Sequence, residues 1–187
     1  MGVDRDTLAA AQRRMLAVWG QHVAAEFERH DVDETMTTMT PDTHNMNLAV
    51  LTGGVGADGV RAFYREYFLP SLPPDNEIVL VSRTIGVDRI VDEIVHKFTH
   101  SKEMPWILPG IRPTGRRVEL PVVAVVEFKG GKIHSEHIYW DQASLLVQVG
   151  LLKPEGLPVV AAGESARHLV NPKLPLNDLI RRAGRRR

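Results

Sequence analysis

Residues 132–152 read KIHSEHIYWDQASLLVQVGLL. Two histidines, a tyrosine, a tryptophan and an aspartate stand in a run that alternates up to Asp141. It then changes to helical spacing in QASLLVQVG, which Gly150 ends. Gly130–Gly131, just upstream, is a pair suited to a type I′ turn, so residues 117–129 and 132–141 are predicted to form a hairpin. A two-residue turn sets Ala124 opposite His137, Val122 opposite Tyr139 and Leu120 opposite Asp141. One face then carries an aliphatic wall studded with His137, Tyr139 and Asp141, which suits an apolar pocket with a few convergent polar groups. The other face carries Val123, Val125, His134, Glu136, Ile138 and Trp140. A slip of one residue exchanges the two faces.

Strand geometry limits how these groups can cooperate. Same-face residues two apart lie roughly 6.6 Å from one another, and four apart roughly 13 Å. His137 and Asp141 therefore meet a ligand at different points, with Tyr139 between them. Asp141 also stands where an N-cap of the following helix belongs, so a structural role competes with a catalytic one. On regular strands His134 and His137 point oppositely, and His96 and His100 lie too far apart to chelate alone. No HxxxH falls on a helix, so neither a metal nor another cofactor is expected.

Working outward, residues 77–86 and 89–100 form a second hairpin about Val87–Asp88. Its register sets Arg83 opposite Asp92 and Val79 opposite His96. The Arg83–Asp92 pair reads either as a cross-strand salt bridge or as a polar group reaching a cavity. Between the hairpins, SKEMPWILPGIRPTGR is too apolar for a linker and is predicted to rim the cavity, with Trp106 near its mouth.

Upstream, Leu8, Ala11, Met15, Val18, Trp19, Val23 and Phe27 recur at helical steps, with Arg13, Arg14, Glu26 and Arg29 between them. Asp6 or Thr7 is the predicted cap. Asp33 is predicted to cap a short second helix ending before Pro41. Residues 44–51 alternate as a strand, and VRAFYREYF reads as a helix. The glycine-rich TGGVGADG between them lacks the Gly-Lys-Ser/Thr of a P-loop and the G-x-G-x-x-G spacing, which excludes nucleotide binding. Helices gather early and strands late, an α+β order.

The 187 residues fit one domain with an appended tail: 1–152, followed by an irregular, Pro-punctuated extension, 153–187, with one turn of helix at 164–170 and a basic end, RRAGRRR. Net charge is zero, so no global field draws the chain to nucleic acid or membrane. The chain has no cysteine, which excludes disulfide and thiolate chemistry. No leader-like or membrane-spanning apolar run is present, and a cytoplasmic location is expected.

The element order, Gly131–Lys132–Ile133, the strand closing in Asp141 and Gln148–Val149–Gly150 together resemble the nuclear transport factor 2-like superfamily, in its SnoaL-like polyketide cyclase branch, over residues 8–152. The resemblance implies a cone in which a curved antiparallel sheet wraps on N-terminal helices around an apolar cavity. It also implies a homodimer formed through the sheet, and the apolar face of Val123, Val125, Ile138 and Trp140 fits such a contact. For function it implies cofactor-free acid/base chemistry on a small apolar carbonyl or lactone-like compound. Asp141 would move the proton, His137 and Tyr139 would assist, and His96, Trp106, Arg83, Asp92 and Trp19 would line the cavity. A non-catalytic ligand-binding or dimerisation module on the same fold remains the alternative.

Overall fold

Positions at steps of four and three, Met15, Trp19 and the polar His22, bury one side of helix α1 (Ala10–Ala24) in the computed structural model, which describes residues 9–160 and 163–184. The predicted caps Asp6 and Thr7, together with Leu8, lie outside the described residues. Ala9 is the cap, and Gln12 does the bonding. Its Oε1 accepts from Ala9 N at 3.0 Å, while its Nε2 donates to the carbonyls of Ile85 and Gly86. Those bonds fasten the start of the helix to the far hairpin. A π-helical turn, Ala25–Arg29, continues α1 and buries Ala25 and Glu26 before His30 ends it with φ 52°. Helix α2 (Val32–Thr37) is capped by Asp31, which accepts from Glu34 N at 2.9 Å; Asp33, the predicted cap, pairs with Arg61 instead.

Strand β1 (Met39–Asn47) begins earlier than residues 44–51 predict and also ends earlier, where Leu48–Leu51 turn the chain, Leu51 with φ 53°. The glycine-rich segment is no loop. It forms β2 (Thr52–Val55) and opens α3 (Gly56–Phe63). A β-carbon on Gly54 would strike the backbone of Gly59, so the glycines serve close backbone approach between strand and helix. A second π turn, Tyr64–Phe68, extends α3.

Strands β3 (Glu77–Ile85), β4 (Arg89–Thr99), β5 (Arg117–Lys129) and β6 (Lys132–Trp140) complete a six-stranded sheet in the order β2-β1-β6-β5-β4-β3. The sheet is open and mixed rather than wholly antiparallel, because β1 runs parallel to β6. Gly130 and Gly131 both have positive φ, at 60° and 79°, as a type I′ turn requires.

Both hairpins contain an irregularity that the sequence reading lacks. In the β5–β6 pair, Phe128 faces Ile133 but Glu127 faces Ser135, so His134 is an extra residue. Beyond that bulge the register moves by one: His137 faces Val125, Tyr139 faces Val123, and Ala124 faces Ile138. The two faces are therefore exchanged. Glu136, Ile138 and Trp140 join Val122, Ala124 and Val126 on the inner side, while His137 and Tyr139 stand outside with Val123 and Val125. The apolar face expected to form a dimer contact is split between the two sides of the sheet. In the first hairpin Arg83 does face Asp92, but a shift between Leu80 and Ser82 sets Ile78, not Val79, opposite His96.

Val118, Leu120, Val126, Ile90, Phe98 and Ile133 are fully buried on the inner side, each contributing about 1.5–3 kcal/mol of apolar burial. Residues 101–116 supply Met104, Ile107 and Leu108 to the same core, so this segment packs as part of the core. Helix α4 (Gln142–Gln148) docks through buried Leu145 and through Gln148, whose carboxamide bonds both backbone groups of Glu119. The extension carries α5 (Glu164–Val170), where one turn is predicted, and α6 (Asp178–Gly184). Ala166 buries α5 against β5. Among the described residues no helix is long and apolar enough to cross a membrane.

Candidate active site

Between α1, the two π turns and the inner face of the sheet lies a cavity of about 250 Å³. Trp19, Arg83, Asp92, His96 and Trp106 all line it. His137 and Tyr139 do not, because the bulge at His134 turns them outward. Asp141 does not either. Its Oδ1 accepts from Ala143 N at 2.9 Å and Ser144 N at 3.2 Å, capping α4 from an exposed position. The structure thus brings five of the eight sequence-derived site residues together and places the three assigned the chemistry elsewhere.

Two polar groups interrupt the apolar wall. The first is Asp92, only 3% exposed, which accepts from Trp19 Nε1 at 2.8 Å and from Arg83 Nε and Nη2 at 2.6 Å each. Strand register delivers Arg83, and the third turn of α1 delivers Trp19. Three donors satisfy the buried carboxylate, and Arg83 Nη1 has no hydrogen bond among the described residues. Nearby, His96 Nε2 donates to Asn76 Oδ1, and burial lowers its pKa to about 4, so the ring is neutral near pH 7.

The second group comprises His22, Glu26, Glu136 and Tyr64, all buried. Thr38 fixes its proton arrangement. The Thr38 hydroxyl donates to Thr35 O at 2.6 Å, so its oxygen, 2.7 Å from His22 Nδ1, accepts the Nδ1 proton. His22 Nε2 then faces Glu26 Oε1 at 3.1 Å and Glu136 Oε1 at 3.2 Å. Tyr64 donates to Glu136 Oε1 at 3.1 Å. Burial opposes charge on His22, but the carboxylates of Glu26 and Glu136 outweigh it and raise the imidazole pKa to about 10. Burial raises the Glu26 carboxyl; the His22 charge opposes that rise and Glu136 adds to it. Tyr64 is pushed well above its ordinary range by burial and by the same two carboxylates. A buried carboxyl more basic than a solvated one, held on an imidazolium at the wall of an apolar cavity, is equipped for proton transfer. Beside it, Asn45 pairs laterally with Glu136, and its buried Oδ1 has no hydrogen bond among the described residues.

The sequence reading missed this cluster. Its signal was the four-residue spacing of His22 and Glu26 beside the Met15–Trp19 stripe, a polar pair where the helix turns inward. Read by residue type alone, Glu26 groups with the outward charges, whereas its i,i+4 spacing from His22 places it on the buried face. A regular two-residue hairpin puts Glu136 outside, and the bulge at His134 turns it inward. Among the described residues His22, Glu26 and Glu136 are also the set whose ligand atoms converge closely enough to hold a metal ion, and an ion there would displace the proton on His22 Nε2.

An open mixed sheet backed by N-terminal helices around such a cavity is the nuclear transport factor 2-like architecture. The chain belongs to the SnoaL-like domain family, whose model matches residues 19–136. Among solved structures it is similar to a putative SnoaL-like polyketide cyclase from Jannaschia sp. CCS1 (17% identity, covering 81% of this chain and 100% of that one, TM-score 0.65). It is also similar to AclR, a putative hydroxylase from Streptomyces galilaeus (24% identity, 76% and 88% covered, TM-score 0.59). A third is a protein with a ketosteroid isomerase-like fold from Catenulispora acidiphila, in complex with trimethylamine (14% identity, 72% and 93% covered, TM-score 0.55). At these identities the likeness is one of fold. No curated protein matches the sequence.

Proposed function

We propose that the protein is a cofactor-free acid/base enzyme of the cyclase, isomerase or hydrolase type, acting on a small, largely apolar carbonyl or lactone-like compound in the cavity. The observation that carries this reading is Glu26, a cavity-lining carboxyl made basic by burial and shared with Glu136 on one imidazole. Glu26 takes a proton from the carbon next to the substrate carbonyl and returns it in the second half of the reaction. Glu136, Tyr64 and Thr38 hold His22 in the orientation that keeps Glu26 in place. Arg83, neutralised by Asp92, offers its Nη1 to the carbonyl oxygen, where negative charge develops. The aromatic wall of Trp19, Phe63, Phe68 and Trp106 excludes water from the exchange.

The test needs no natural substrate. Cyclic ketones and lactones of bicyclic size are incubated with the protein in D₂O, and loss of the α-proton signal is followed by NMR. At least one compound should exchange faster than in buffer, and Glu26→Gln should slow that exchange by about 10²-fold or more. Exchange at the buffer rate across the panel, with binding visible by chemical-shift changes, would favour the non-catalytic ligand-binding alternative. Full exchange by the Gln variant would remove Glu26 from the mechanism.

A further inference from the structure

The four-residue spacing of His22 and Glu26, and the bulge that turns Glu136 inward, bring three ligating groups to one point at the cavity wall. His22 Nε2 lies 3.1 Å from Glu26 Oε1 and 3.2 Å from Glu136 Oε1. The ligand atoms of the three side chains all stand within 4.8 Å of one another. The Tyr64 hydroxyl closes a fourth side, 3.1 Å from Glu136 Oε1 and 3.4 Å from His22 Nε2. His22 is fully buried, whereas Glu26, Glu136 and Tyr64 line the cavity, so the cavity is the way in.

We infer that His22, Glu26 and Glu136 form a binding site for one divalent transition-metal ion such as Zn²⁺, and that this ion inhibits the acid/base chemistry by taking Glu26 as a ligand. The inhibition rests on the function proposed above; the metal site does not. An ion bound at about 2.0–2.2 Å holds neighbouring ligand atoms about 3.0–3.5 Å apart. Both spacings to Nε2 already fall in that range. The imidazole is also presented in the right tautomer. Thr38 Oγ1 accepts the Nδ1 proton at 2.7 Å, because its own proton goes to Thr35 O, and Nε2 is left to bind the ion. A hydrogen-bonded Nδ1 fixes a metal-ligating histidine in tautomer and direction. Charge favours the ion as well. A divalent cation cancels two ionised carboxylates, whereas an imidazolium offsets one of them, and buried charge is costly unless paired. One imidazole with two carboxylates suits zinc, manganese, iron or cobalt; magnesium keeps its waters and is disfavoured in so enclosed a place. The ion takes the position of the Nε2 proton, and a carboxylate bound to it no longer accepts a proton from carbon.

The experiment uses the full chain without a histidine tag, stripped with EDTA and titrated calorimetrically with ZnCl₂. One ion per chain should bind, and MgCl₂ should give no heat. Glu26→Gln and Glu136→Gln should each weaken zinc binding by about tenfold or more, and Thr38→Val, which releases the ring, by a similar factor. Outside the cavity His44 Nε2 lies 3.0 Å from His137 Nε2, and His44→Gln should leave the affinity within roughly twofold. CoCl₂ added to the unaltered protein should give a visible absorption that one equivalent of ZnCl₂ abolishes, a readout that depends on no variant. With a ketone that exchanges in D₂O, one equivalent of ZnCl₂ should slow the exchange by about tenfold or more, and EDTA should restore it. Absence of zinc binding would overturn the inference, as would affinity that survives both carboxylate substitutions or is lost in His44→Gln. Undiminished exchange by the zinc-loaded protein would overturn the inhibition. If no compound exchanges even after EDTA, the proposed function fails and the inhibition with it, while calorimetry and the cobalt spectrum still decide the metal site.

Discussion

Asp92→Asn isolates the electrostatics of the cavity wall. The carboxylate sits 3% exposed beneath three donors, two of them from a guanidinium whose side chain retains 20% exposure. Asparagine preserves the shape but directs an amide N–H₂ at donors that need an acceptor, leaving Arg83 without a counter-charge. Breaking a fully buried pair this way costs about 3–5 kcal/mol. Partial hydration of Arg83 from the cavity lowers the expected loss to about 2–4 kcal/mol. For a domain of this size, that corresponds to a fall in Tm of about 5–15 °C. Urea unfolding followed by tryptophan fluorescence measures it directly, since Trp19 donates to Asp92. Arg83→Met removes the cation, and the double variant should recover about 2 kcal/mol of the summed single losses as coupling. A loss below about 1 kcal/mol for Asp92→Asn, or coupling near zero, would show a hydrated cross-strand contact and refute the reasoning.

Two further outcomes follow from the same geometry. Asp141→Asn should leave both stability and proton exchange unchanged, whereas Asp141→Ala should cost about 1 kcal/mol by uncapping α4, with exchange retained; lost exchange in a folded Asn variant would restore Asp141 to the chemistry. The folded pKa of His22, about 10, exceeds its ordinary value of 6.5, so this group's contribution to stability is complete below pH 6.5 and declines as pH rises toward 10. The urea midpoint should therefore fall between pH 7 and pH 10, and the fall should flatten in His22→Gln; a midpoint equally pH-dependent in both proteins would contradict the assignment.

Local features were legible in the sequence because their causes are local. The Gly130–Gly131 turn needs two residues at positive φ, the end of β6 needs a cap for α4, and the stripe of α1 follows from helical periodicity. Each is decided within a few residues: the turn and the cap are found where the sequence predicts them, and the stripe holds at Met15 and Trp19, although Ala11 is exposed and Glu26 is buried. The Arg83–Asp92 pairing also survives, because it lies close to its turn, before the irregularity at Leu80–Ser82. What only the tertiary structure decided is which side of each strand faces the cavity. One extra residue at His134 inverts every side chain beyond it, exchanging His137 and Tyr139 for Glu136, Ile138 and Trp140. The parallel β1–β6 pairing joins residues some ninety positions apart and leaves no periodic signal in either strand. The π turn at Ala25–Arg29 buries Glu26, which the i,i+4 spacing sets beside His22, and the register of β6 brings Glu136 to the same imidazole. A strand's alternation states that two faces exist. Packing against α1 and the partner strands chooses between them, because only burial of the whole apolar wall pins the register.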